Sequence, residues 1–216
     1  HSINGAFSII LMTNKTLIGA RGPFGIRPLV LGKLDNSYVL SSESCGLDII
    51  GAELVRDIEP GEIVIIDEGE IESVKPFKKT QLRPCIFEYI YFSRPDSILN
   101  NKSAYEYRKN LGIELAKENI LEADMVVPVP DSGNAAALGF AQHLGMKFEL
   151  GLIRNHYVGR TFIEPSQKIR SLGVKLKLNA NQSAINGKRI ILIDDSLVRG
   201  TTSHKIIKML YDAGAK

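Results

Sequence analysis

The stretch from Arg189 to Ser203, RIILIDDSLVRGTTS, restricts the fold more than any other part of the chain. Ile190 to Ile193 run without a polar break, which suits a strand buried on both faces of a parallel sheet. Asp194 and Asp195 follow at once, where such a strand ends. A loop of small and hydroxylated residues comes next, with Ser196, Gly200, Thr201, Thr202 and Ser203. Beyond it Ile206, Ile207, Leu210 and Ala213 recur at helical spacing, and Gly214 is placed to end the helix. A strand feeding a loop and a helix N-terminus gathers unpaired backbone N–H groups at the positive end of the helix dipole, an arrangement that binds phosphate. The two aspartates in front can face ribose hydroxyls or a hydrated magnesium ion. For two adjacent acids alone, an ordinary βα turn with a Ser/Thr cap is the plain alternative.

A second stretch repeats the arrangement. DMVVPVPDSGNAAALGFAQHLG reads as a strand from Met125 to Val129, a tight loop Asp131-Ser132-Gly133-Asn134, and a helix ended by Gly145. That loop is another anion cradle, and Asp131 or Ser132 can cap the helix at the same time, because a cap and an anion use the same backbone groups. Before it, Ser103 and Glu106 form a capping box for a helix with Tyr107, Leu111, Ile113 and Leu115 on one apolar side, ending near Asn119. After it, KFELGLI (Lys147 to Ile153) reads as a strand. RNHYVGRTFIEPSQKIRSLGVKLKLNAN then runs with mixed charge and little periodicity, and a connection this long in a compact domain is usually functional or disordered.

Residues 1 to about 78 read as all-β. SIILMT, TLIGAR, PLVLGKL, YVLSS, EIVIID and EIESV are separated by turn signals such as Asp35-Asn36, Pro60-Gly61 and Glu68-Gly69, as in antiparallel hairpins forming one layer of a sandwich. A compact aromatic run, Phe87, Tyr89, Tyr91 and Phe92, follows and reads as core.

Charge and composition exclude several classes. A net charge of +3 with acids and bases mixed along the chain gives no nucleic-acid footprint, and only Lys168 to Arg189 is locally basic. No apolar run approaches the roughly 18 residues of a membrane span. The four histidines show no metal-ligand spacing, so no zinc site is expected. Two cysteines, Cys45 and Cys85, make no disulfide framework and fit a reducing, cytoplasmic setting. The opening HSINGAFSII and the closing AGAK read as interrupted domains, so the chain is expected to be a fragment.

RIILIDDSLVRGTTS resembles the phosphoribosyl pyrophosphate (PRPP) motif of type I phosphoribosyltransferases, and in this form that of the glutamine PRPP amidotransferases. ARGPFGIRPLVLG (Ala20 to Gly32), SSESCGLDIIGAELVRDIEPGE (Ser41 to Glu62), FEYIYFSRPDS and the segment around Tyr157 resemble the same family. The resemblance implies an α+β portion of an N-terminal-nucleophile glutaminase, antiparallel and β-rich, over residues 1–82. Over 83–216 it implies an α/β type I phosphoribosyltransferase domain with a mostly parallel sheet. The implied activity moves glutamine-derived ammonia to C1 of PRPP, giving 5-phosphoribosylamine in the first step of purine synthesis, in a homo-oligomeric parent.

By the same resemblance PRPP falls to Asp131, Ser132, Gly133, Asn134, Asp194, Asp195, Ser196, Val198, Arg199, Gly200, Thr201 and Thr202, and magnesium to Ser132, Asp194 and Asp195. A lid closing over PRPP and an ammonia channel takes Arg154, Tyr157, Arg160 and Thr161. Cys85 matches a position that binds a [4Fe-4S] cluster in some members and is an unmetallated thiol in others, and both readings stand. The sequence departs from the family at Gly22, usually Asp, and at His156, usually Arg. His1 is not the family's nucleophilic cysteine, so glutamine hydrolysis by these residues is not expected. A salvage phosphoribosyltransferase would explain the PRPP motif but not the β-rich front. A PRPP-sensing regulator should carry a DNA-reading helix or basic face, which the sequence lacks.

Overall fold

The computed structural model describes residues 3, 5–78, 80–119, 121–157 and 177–216. The chain divides into two compact units, His1–Tyr107 and Arg108–Lys216. It is a mixed α/β chain with antiparallel and parallel pairing.

In the first unit, β1 (Ser8–Met12), β2 (Thr16–Arg21), β6 (Ile63–Asp67) and β7 (Glu70–Val74) form one antiparallel sheet in the order β1-β2-β6-β7. β3 (Val30–Leu34), β4 (Ser37–Ser41) and β5 (Glu53–Asp57) form another, in the order β4-β3-β5. The expected single layer is therefore two sheets, whose apolar faces meet through Leu29, Leu31, Ile58, Val64 and Ile66. Nor is this region all-β: α1 (Ser44–Ile49) precedes β5 and buries Leu47 against Val30 and Ala52. Its SCGLDI carries too few turns to show helical periodicity in sequence.

Arg21 is almost wholly buried, and its guanidinium donates to the carbonyls of Arg27 at 3.0 Å, Ile58 at 2.6 Å and Gly25 at 3.0 Å. Desolvation lowers its pKa, opposed by nearby Asp57. The loop holding the first family-like word is thus wrapped around a buried cation. Gly22 is buried too, and a Cβ there would sit 3.2 Å from the Phe7 carbonyl, tighter than ordinary contact.

The aromatic run forms a π-helical turn, Glu88–Phe92. Only Tyr89 is core; Phe87, Tyr91 and Phe92 are 43%, 55% and 53% exposed, so the core reading of the other three is corrected. The short hairpin β8 (Ile98–Leu99) and β9 (Lys102–Ser103) turns through Asn100 and Asn101, both at positive φ, which asparagine tolerates better than most residues. Ser103 then accepts the Glu106 amide at 3.3 Å where α2 (Ala104–Glu118) begins.

In the second unit, β10 (Met125–Pro128) and β13 (Ile190–Ile193) are parallel, with Pro128 opposite Ile193. The apolar run of β13 serves both faces of this pair. Ile191 and Ile193 pack with Val126, Ala137 and Phe140, while Ile190 and Leu192 pack with Met125, Val127 and Ile206. α3 (Asn134–Leu144) covers one face and α5 (Thr201–Asp212) lies on the other. The expected strand Lys147 to Ile153 is shorter than predicted: Phe148 bridges in parallel to Val126, and β11 (Leu152–Arg154) pairs antiparallel with β12 (Leu178–Ala180). A short helix, α4 (Gln182–Ile185), had no sequence signature.

Candidate functional site

β10 and β13 end side by side, so the loops that follow them open at one edge of the sheet. The Val129 amide donates to the Ile193 carbonyl at 2.8 Å, carrying the pairing to the last residue before Asp194. Gly133 then turns against the same carbonyl, where a Cβ would stand 2.5 Å from the Ile193 oxygen and 2.9 Å from that of Val129. Only glycine lets the 131–134 loop approach the acidic strand end this closely. The crevice beyond the carboxyl ends of parallel strands is the usual ligand position in such sheets.

Neither helix that opens at this edge has a side-chain cap. Gly133 stands at the N-cap of α3 without a side-chain bond, so the expected cap from Asp131 or Ser132 is not formed. α5 begins after Gly200, whose φ of 71° lies in the left-handed region that glycine adopts at low cost. The Gly133 and Asn134 amides turn back to the Val129 and Asp131 carbonyls, at 2.9 and 3.3 Å. With no side-chain cap on either helix, the positive end of each dipole remains open to an anion.

The acids arrange themselves locally. Asp194 accepts the Asp195 amide at 2.9 Å, and the Ser196 hydroxyl donates to Asp195. Desolvation pushes the Asp194 carboxyl above its ordinary value, as does the neighbouring Asp195 charge, against the hydrogen bond from the Asp195 amide. A carboxylate held this way gains from a cation or a hydroxyl donor. Leu197 and Val198 point outward, 73% and 83% exposed, with Arg199, Thr201 and Thr202 also exposed. In the 131–134 loop the Asn134 Oδ1 is buried without a hydrogen-bond partner.

Arg154, at the end of β11, reaches Asp131 and forms an ion pair with it, a contact that no sequence pattern announces. It also lines an open pocket of about 590 Å³ with Asn155, Asn179, Asn181 and Gln182. Tyr157 is fully exposed and His156 is exposed. Arg160 and Thr161 lie outside the described residues, as do Lys168, Arg170 and Lys175 of the basic run.

Among the described residues no group of three or more His, Cys, Asp or Glu side chains is placed to hold a metal ion. Ser132, Asp194 and Asp195 offer oxygen alone, a donor set that suits magnesium held jointly with substrate phosphates and water. A four-thiolate iron–sulfur cluster does not fit this chain by itself, which has two cysteines. The Cys85 amide donates to the Ile26 carbonyl at 3.1 Å, while Cys45 is buried with its thiol toward Glu43. Burial pushes the Cys45 thiol up, which disfavours the thiolate a nucleophile needs.

The chain is similar in sequence to curated proteins and in structure to solved ones. The chain is 55% identical over 219 residues to an amidophosphoribosyltransferase of Rhizobium etli, covering 99% of this chain and 44% of that protein. It is 50% identical to a chloroplastic amidophosphoribosyltransferase of Glycine max, over 99% of this chain and 38% of the relative. The chain belongs to the amidophosphoribosyltransferase family. Among solved structures it matches the glutamine PRPP amidotransferase from B. subtilis complexed with ADP and GMP, with a TM-score of 0.90 at 47% identity. That match covers 98% of this chain and 47% of the other. No protein-family model matches. The chain spans less than half the length of these relatives. No described helix is long and apolar enough to cross a membrane.

Proposed function

We propose that the second unit is the PRPP site of an enzyme transferring glutamine-derived ammonia to C1 of PRPP, yielding 5-phosphoribosylamine, pyrophosphate and glutamate at the entry to purine synthesis. The observation that carries this is the meeting of two uncapped strand–loop–helix junctions at one sheet edge, the second of which opens with Asp194 and Asp195. PRPP has the same layout: phosphate at one end, diol in the middle, pyrophosphate at the other. In this reading residues 1–82 belong to the glutaminase portion and 83–216 to the transferase portion.

The 5′-phosphate is assigned to the backbone and hydroxyls of Ser196 to Thr202, including Val198, Arg199, Gly200 and Thr201. Asp194 and Asp195 accept the ribose hydroxyls, which fixes C1 relative to the nucleophile. The backbone of the Asp131, Ser132, Gly133 and Asn134 loop, with the Ser132 hydroxyl, takes the pyrophosphate, whose developing charge the α3 dipole stabilises. Magnesium, held by Ser132, Asp194 and Asp195, would offset charge on that leaving group. Arg154 and Tyr157, with Arg160 and Thr161, exclude water that would compete with ammonia for C1.

The double substitution Asp194→Asn with Asp195→Asn tests the assignment in the full-length protein. Ammonia-dependent turnover of PRPP should disappear while glutamine hydrolysis persists at its basal rate. Unchanged ammonia-dependent synthesis would refute the reading.

A further inference from the structure

Asp131 and Arg154 come from different elements, the loop before α3 and the end of β11, and their side chains form an ion pair although each is about half exposed. Both backbones are held independently. The Asn134 amide donates to the Asp131 carbonyl at 3.3 Å, and Arg154 is in ladder register with Leu178. The pair can therefore open by side-chain rotation without moving either element. The Arg154 guanidinium is thus engaged by a carboxylate, which has the same sign as an arriving pyrophosphate.

We propose that Asp131 is an internal competitor for Arg154. The pair is closed without ligand, and a pyrophosphate group displaces the Asp131 carboxylate and takes over the guanidinium. This rests on the PRPP reading of the site. An exposed ion pair is weak, whereas a guanidinium bonds phosphate oxygens through two parallel charge-assisted hydrogen bonds, so the exchange favours the ligand. Asp131 then sets a threshold, holding Arg154 away from weakly charged anions and releasing it to a diphosphate.

Calorimetric titration of magnesium pyrophosphate and of magnesium PRPP into the full-length protein, at low and high salt, tests this. Asp131→Asn should tighten pyrophosphate binding about threefold to fivefold, the factor that losing a weak exposed pair allows. The gain should shrink as salt rises. Arg154→Gln should weaken binding, and adding Asp131→Asn to it should change nothing further. Arg154→Lys should restore part of the affinity. If Asp131→Asn binds equally or more weakly while the unaltered protein binds PRPP, the competition is refuted and the PRPP reading stands. If Asp131→Asn tightens binding equally in the Arg154→Gln background, simple repulsion replaces competition. If the unaltered protein takes up no PRPP, both readings fall.

Discussion

Gly133 shows how one missing methyl group shapes the site. Its Cα approaches the Ile193 carbonyl so closely that an added Cβ would overlap the oxygen, and that carbonyl is backbone in a paired strand, unable to rotate away. Gly133→Ala should therefore push the 131–134 loop off the strand end, at about 1–3 kcal/mol of stability. Urea unfolding would read the loss, and PRPP affinity should fall with it; unchanged stability and affinity would show that the loop has room. Sequence places Gly133 between a strand and a helix, but its contact with Ile193 depends on strand pairing. The same holds for Asp131 with Arg154, which no local pattern joins.

Among the elements, α2 departs furthest from its sequence reading. Leu111 and Leu115, expected on its buried side, are 40% and 39% exposed, while Arg108, Gly112 and Ala116 are buried. The cause is the neighbour. Gly112 lies against Ala136 of α3 so that a Cβ would stand 1.8 Å from the Ala136 carbonyl oxygen, and Gly139 lies as tightly on Lys109. Two helices meeting backbone to backbone need small residues at the contact, so glycine and alanine take the inner face. Gly112→Ala should force the helices apart and cost about 1–3 kcal/mol, despite alanine's better helix propensity. A urea midpoint equal to or above that of the unaltered protein would contradict this. α5 follows its pattern better: Ile206 and Leu210 are buried as expected, with Ile207 the exception at 43% exposure.

At the scale of the whole molecule, the first unit carries a pH-dependent brace. Glu62 is buried, and against desolvation, which raises its pKa, hydrogen bonds from Arg56, Ser73 and the Glu59 amide hold it at about 2 instead of its ordinary 4.5. A depressed carboxyl contributes stability that is fully present above pH 4.5 and is lost as pH falls toward about 2. Glu62→Gln should cost about 1–2 kcal/mol near neutral pH, discounted because Arg56 is partly exposed, and should flatten the stability loss across that acid window. Urea midpoints by circular dichroism from pH 6 to about 2 would show it; parallel curves for both proteins would sink the idea. The sequence by itself determined the strand–loop–helix units around Asp131 and Asp194, the hairpins of the first unit and the family likeness. Those signals are local, carried by apolar runs, turn residues and helical spacing within a few positions. Tertiary structure decided that the front half holds two sheets and a helix, that α2 buries its small residues, that Arg21 and Glu62 lie inside, and that Arg154 meets Asp131. Which faces meet depends on shape and charge matching between segments distant in the chain, and no single segment encodes its neighbour's surface.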